Sequence, residues 1–300
     1  MGWVIDLLGV ALAALVQLQG EEPKSPRFQG AADVPYQIPG DGLTPIVQLR
    51  TASGEQLRLL IDTGASRSMV SQALADRLQL QTTPLAASAF ELAGAGDDCP
   101  SDPPQRAELP RLMLGDLQIE GLEVLVMPRL GVPPGSDGVL GASALRSMPL
   151  LIDPSRQRLQ IGAHLPAAGV PSGARRLTMF WREHVPLLQA HDPAGQRFDA
   201  LIDTGAEAVF VSHSLASLLQ PQGDARPVRI TGFCGEELAL EQKMAGLTMG
   251  GISLSESAVI QTRNRILNDL AVEAIIGQPF LKGHRQLWML NASPPRLIMW

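Results

Sequence analysis

The body of the chain opens on two alternating stretches joined by a turn. Apolar and polar positions alternate from Ile46 to Arg50, Ala52-Ser53-Gly54 supplies the turn residues, and alternation resumes from Gln56 towards Ile61. That pattern predicts a β-hairpin. It recurs in the second half, where Val185 to Ala190 and Arg197 to Ile202 flank Asp192-Pro193-Ala194-Gly195. A short helical stretch is predicted after each hairpin, over Gln72–Leu78 and Ser214–Leu219, followed by further alternating strands. Leu117–Val124 and Ile252–Leu254 are the plainest of these. Short strands at close spacing with little helix predict an all-β fold.

The halves also repeat at the level of residues. Leu59-Leu60-Ile61-Asp62-Thr63-Gly64-Ala65 returns as Ala200-Leu201-Ile202-Asp203-Thr204-Gly205-Ala206. Leu112-Met113-Leu114-Gly115 returns as Leu247-Thr248-Met249-Gly250, and Val139-Leu140-Gly141 as Ile275-Ile276-Gly277. Three matches in one order at a nearly constant interval indicate two copies of one domain. The expected organisation is an N-terminal segment 1–20, a Pro- and Gly-rich spacer 21–41, a first lobe 42–166, a linker 167–176 and a second lobe 177–300.

Composition narrows the function classes. The 300 residues are 45% hydrophobic and 18% charged, which suits a globular chain with a sizeable core. A formal charge of −6 without basic blocks argues against a nucleic-acid partner. Two cysteines and five scattered histidines make neither a disulfide framework nor a zinc site, so no metal cofactor is expected. With Lys24, Lys243 and Lys282 as its lysines and no Gly-x-x-x-x-Gly-Lys motif, the chain offers nothing for nucleotide binding. Leu7 to Val16 is an uninterrupted apolar run, short for a membrane span but suited to the core of a secretory signal, with Gly20 as a small residue at a cut. It predicts an exported (periplasmic or secreted) protein, or one tethered to a membrane through this segment.

The repeated Asp-Thr-Gly carries the chemistry. Two similar lobes tend to pack about an approximate two-fold axis, which sets a loop of one against its counterpart. Asp62 and Asp203 would then lie side by side. Two carboxyls in contact cannot both ionise easily, so the pair holds one acid and one base. Gly64 and Gly205 allow backbone N–H groups to approach the carboxylates, Thr63 and Thr204 carry hydroxyls able to bond across the axis, and Ile61 and Ile202 would exclude water from below.

At these residues the chain resembles the aspartic peptidases of the pepsin and retropepsin clan. The Asp-Thr-Gly-Ala form in both halves is similar to the retropepsin side. Ser71 and Ser212 fit the continuation of that loop, and Asp137-Gly138-Val139-Leu140-Gly141 and Ala274-Ile275-Ile276-Gly277 match the second signature of two apolar residues and glycine. The resemblance covers roughly Thr44 to Trp300. It implies a bilobal acid-protease fold of two β-barrel-like lobes related by a pseudo-two-fold axis, with the active-site cleft between them. It implies a monomeric aspartic endopeptidase with Asp62 and Asp203 as catalytic dyad, supported by Thr63, Gly64, Thr204 and Gly205, acting on a peptide or protein substrate. The alternative is a catalytically silent retropepsin-like module for peptide binding or assembly.

Some positions depart from the family pattern. The single tyrosine, Tyr36, precedes the first lobe, so the pepsin flap tyrosine is absent. Flap candidates are the turns at Ala93-Gly94-Ala95-Gly96 and Thr231-Gly232-Phe233-Cys234-Gly235, which nominates Gly94, Gly96, Gly232 and Gly235 as flap or substrate-binding residues. Ala142 and Gln278 stand where retropepsins often have arginine. Ser66 corresponds to Glu207, whose carboxylate would favour protonation of the dyad if it faced inward; a solvent-facing side chain is expected. Cys99 and Cys234 fall in or beside the flap turns, either as two unpaired residues or as a disulfide joining the flaps over the cleft.

Overall fold

The computed structural model describes residues 7–11, 14–18, 21–40, 42–86, 88, 90–96, 98–100, 102–163, 165, 169–254 and 257–300. Gly20 and residues 167–168 of the expected linker lie outside them. The architecture is all-β and two-lobed, with short helices. Strands Ile46–Thr51 and Gln56–Asp62 form the first predicted hairpin. Leu49 and Leu57 point inward while Gln48, Arg50 and Arg58 face out. From Leu59 to Asp62 the alternation gives way to continuous burial. The cause is a parallel neighbour, Gly138–Gly141, which carries this half of the strand into the interior.

The second lobe repeats the device. Val185–His191 pairs with Arg197–Ile202, whose last residues run parallel to Ala274–Ile276. Met69–Ser71 lies beside Gly138–Gly141, as Val209–Val211 lies beside Ala274–Ile276. Each of these short strands ends in a serine that caps a helix. The Ser71 hydroxyl accepts the N–H of Leu74 at the start of Gln72–Arg77, and Ser212 accepts that of Leu215 in His213–Leu218.

A six-stranded antiparallel layer underlies both lobes, in the order Ala31–Pro35, Arg158–Gly162, Leu150–Asp153, Gln286–Met289, Arg296–Met299 and Arg175–Arg182. Its centre is the pair Leu151 and Leu287, contributed by equivalent strands of the two halves. Buried Leu150, Ile152, Trp288 and Leu297 join this layer to the main core.

The structure corrects several expectations. The lobes are extended, branched sheets rather than closed barrels. The stretch read as a spacer contains strands Arg27–Gln29 and Ala31–Pro35, and the expected linker runs into the strand that begins at Arg175. Leu117–Val124 is broken at Gly121, whose φ of 68° ends Leu117–Glu120 before Glu123–Met127 begins.

The expectation of a membrane tether through the N-terminal run is also corrected. Among the described residues no helix is long and apolar enough to cross a membrane. The run forms strands instead. Leu7–Ala11 lies parallel to Arg226–Gly232, and Ala14–Leu18 lies antiparallel to Phe90–Gly94.

Candidate active site

Asp62 and Asp203 sit at the ends of the two buried parallel-paired strands, and neither exposes any surface. The Gly64 N–H donates to Oδ1 of Asp62 at 2.9 Å and to Oδ1 of Asp203 at 3.2 Å, so one amide touches both carboxyls. Ala65 N–H adds a bond of 2.9 Å to Asp62, and Gly205 N–H one of 2.7 Å to Asp203. The glycines are sterically required. A Cβ on Gly64 would stand 2.3 Å from the carboxyl carbon of Asp203, and one on Gly205 would stand 2.7 Å from that of Asp62.

The threonines bind the two loops to each other. Thr63 N–H donates to the Thr204 hydroxyl at 3.0 Å, and Thr204 N–H donates to the Thr63 hydroxyl at 3.0 Å. The Thr63 hydroxyl donates to the carbonyl of Ile202, and that of Thr204 to the carbonyl of Ile61. All four groups are buried, so the exchange satisfies polar atoms that water cannot reach.

The strands holding Gly141 and Gly277 brace the loops from behind. Ala142 N–H donates to the carbonyl of Ala65 at 2.7 Å, and Gln278 N–H to that of Ala206 at 2.8 Å. A Cβ on Gly141 would lie 2.5 Å from the carbonyl oxygen of Arg67, and one on Gly277 would lie 2.2 Å from that of Ala206. Gln278 also donates its side-chain amide to the carbonyl of Thr204 at 2.7 Å.

Electrostatics follow from this packing. Burial, then the charge of Asp203, pushes the Asp62 carboxyl well above the usual carboxylate range. Burial also raises Asp203, to about 6, against the lowering effect of the backbone hydrogen bonds from Gly205 and Gly64. Oδ2 of each aspartate makes no hydrogen bond among the described residues. The pair therefore holds a shared proton at pH values where isolated carboxyls have lost theirs.

The four nominated flap glycines lie at the meeting of two turns. Gly94 ends Phe90–Gly94, Gly232 ends Arg226–Gly232, and Gly96 and Gly235 take φ of 113° and 83°. Cys99 and Cys234 are joined in a disulfide, which settles the choice left open by the sequence. Cys234 N–H donates to the carbonyl of Ala95 at 2.8 Å, and Asp98 N–H to that of Cys234 at 2.8 Å.

Three residues around the dyad have roles that the sequence did not disclose. The Ser66 hydroxyl accepts the N–H of Val16 at 2.8 Å and donates to the Val16 carbonyl at 3.2 Å. Val16 and Leu18 are buried in one cluster with Ala65, Met69, Leu92, Phe233 and Cys234. The N-terminal segment thus lies between the Asp62 loop and the flaps. Arg67, nearly buried, holds the chain behind that segment by donating to the Glu21 carbonyl at 2.5 Å, and Arg106 pairs with the Glu21 side chain. Glu207 is half-buried and accepts the Leu43 N–H at 3.1 Å. The approach of a distant segment leaves no signal in a local motif.

Two family profiles match the chain. The profile described as aspartyl protease matches residues 47–144, and that described as "gag-polyprotein putative aspartyl protease" matches residues 193–283. No curated protein matches the sequence significantly. Among solved structures, the aspartic proteinase from Irpex lacteus superposes with a TM-score of 0.55 at 12% identity, covering 90% of this chain and 97% of that one. The basic 7S globulin from soybean gives a TM-score of 0.49 at 10% identity, covering 90% and 94%. With aspartyl protease profiles on both halves and an acid-proteinase fold along nearly its whole length, the chain belongs to the retropepsin- and pepsin-like aspartic peptidases.

Proposed function

We propose that the chain is an aspartic-type endopeptidase that hydrolyses peptide bonds through a water activated between Asp62 and Asp203. The observation that supports this best is the shared Gly64 amide, which holds one oxygen of each carboxyl and leaves both Oδ2 atoms for chemistry. With one proton on the pair, the ionised carboxyl takes a proton from the attacking water. The protonated carboxyl gives its own to the oxygen of the scissile carbonyl, and the roles reverse as the amine departs. Backbone amides fix the Oδ1 atoms, and the threonine exchange fixes the loops, so little reorganisation accompanies the transfer.

One observation favours the second reading, a silent peptide-binding module: both carboxyls are fully buried, and the chain's own residues 14–18 lie between dyad loop and flaps. Digestion of a peptide library from acid to neutral pH, alongside Asp62→Asn, separates the two. Cleavage by the parent and none by the variant supports the peptidase. Equal products from both would leave only the binding module.

A further inference from the structure

We propose that the Cys99–Cys234 bond turns the cleft into a closed channel, so that the oxidised protein admits a polypeptide only end-first and reduction opens it to internal segments. The inference rests on the peptidase reading for the identity of the site and adds which class of substrate can reach it.

The roof is continuous. The disulfide joins the two flap turns covalently, and the Cys234–Ala95 and Asp98–Cys234 backbone bonds stitch them beside it. A Cβ on Gly96 would lie 2.2 Å from the Cys234 backbone, and one on Gly131 would lie 2.2 Å from the carbonyl oxygen of Gly232. Backbone thus meets backbone across the top at both of these points. The floor is equally continuous, because the Thr63–Thr204 exchange and the six-stranded layer join the lobes beneath. Roof and floor together form a ring, closed covalently where the two flap turns meet.

Strands Leu7–Ala11 and Ala14–Leu18 gauge the bore. Ala11 lies opposite Gly232, and Ala14 lies opposite Gly94, so one strand ends at each of the flap tips that the bridge joins. Below it the Ser66 hydroxyl holds both polar groups of Val16. One extended strand lies between the dyad loop and the flap turns. A hairpin, a ring or a loop between two folded domains would have to bring two strands through the same ring or need an open seam.

Reduction by a dithiol supplies the seam. The sulfur–sulfur bond breaks, each cysteine sulfur gains one hydrogen from the reductant's two thiols, and the reductant closes into its own disulfide. The flap turns then remain joined by the two backbone hydrogen bonds, beside the Glu91–Arg265 ion pair, and all of these can open and reform.

The test uses full-length protein carrying Asp62→Asn to prevent turnover and Val16→Asp to displace the internal segment. The probe is a fluorescent peptide with the sequence of residues 7–18, lysine-tagged for solubility, in linear form and cyclised through a flexible linker. Fluorescence anisotropy is read with the bridge intact, after dithiol treatment, and in the same background with Cys99→Ser and Cys234→Ser. The expected result is tight binding of the linear form in all three states. Cyclic-peptide binding should be about tenfold weaker or more with the bridge intact, and restored in the other two. A linear-to-cyclic ratio unchanged by opening the bridge overturns the channel. So does failure of the linear form to bind while the bridge is closed. Because binding is measured without hydrolysis, a ratio that shifts as expected in a protein whose Asp62 parent cleaves nothing would overturn the peptidase reading alone.

Discussion

The Thr63 and Thr204 hydroxyls change sides: each accepts the other's backbone N–H at 3.0 Å and donates to the carbonyl that precedes the other's aspartate. The two carboxyls are therefore aligned by bonds that belong to both lobes at once. In the assembled fold water has no access to these groups, so the exchange between lobes is what satisfies them.

That exchange predicts how Thr63→Val behaves. Valine matches threonine in shape but leaves the Thr204 N–H and the Ile202 carbonyl without partners in a dry site. Each stranded group costs roughly 1–3 kcal/mol. Chemical denaturation should show a loss of that order, and Thr63→Ser should recover most of it. An unchanged midpoint in Thr63→Val would show that the hydroxyl bonds do not hold the lobes together.

Raised carboxyl pKa values make stability depend on pH in a definite direction. Asp62 and Asp203 both bind protons more tightly folded than unfolded, where their value is 3.8. Their contribution is full below that value and is lost as pH rises through the folded values, about 6 for Asp203. Asp62→Asn removes one titrating partner and the mutual repulsion. The variant should lose stability less steeply than the parent between mildly acid and neutral pH, and turnover should fall by about a hundredfold or more. Parallel stability profiles for the two proteins would contradict the coupling.

Gly277 predicts a cost of a different kind. In Gly277→Ala the added methyl would lie 2.2 Å from the Ala206 carbonyl oxygen and 2.3 Å from that of Ala208, both backbone atoms with no freedom to turn away. The loop bearing Asp203 must shift, with a loss of about 1–3 kcal/mol or more. Gly283→Ala, where a Cβ meets nothing within 4 Å, is the control and should fold normally. Comparable melting temperatures for the two variants would refute the steric argument.

Much of this was legible in the residues, for reasons that can be named. The hairpins ending at Asp62 and Ile202 show because their outer halves alternate, and the repeated Asp-Thr-Gly shows because only glycine fits against the opposite carboxyl. The six-stranded layer was not legible. Its strands, such as Leu150–Asp153 and Gln286–Met289, are short, come from distant parts of the chain and are buried without alternation. Likewise Ser66 is an ordinary loop residue until the N-terminal segment arrives beside it. The apolar run was read for its hydrophobicity, whereas its last residue, Val16, is buried with Leu18 against Leu92 and Phe233.

The docking of that run gives the last prediction. Val16 is 1% exposed among Ala65, Met69, Leu92 and Phe233. Val16→Asp would place a charge there with no cation among those neighbours, at a cost of several kcal/mol unless the side chain returns to water. The segment has an exit that a core strand lacks, because residues 14–18 pair along one edge only, with Phe90–Gly94. Expulsion of the segment should therefore be favoured over unfolding of the lobes. Hydrogen exchange should show lost protection at residues 14–18 and 90–94, with residues 46–62 unchanged, while Val16→Leu keeps the parent pattern. Protection at residues 14–18 equal to the parent's would mean that the pocket tolerates the charge, and global loss would mean that the segment is part of the folding core.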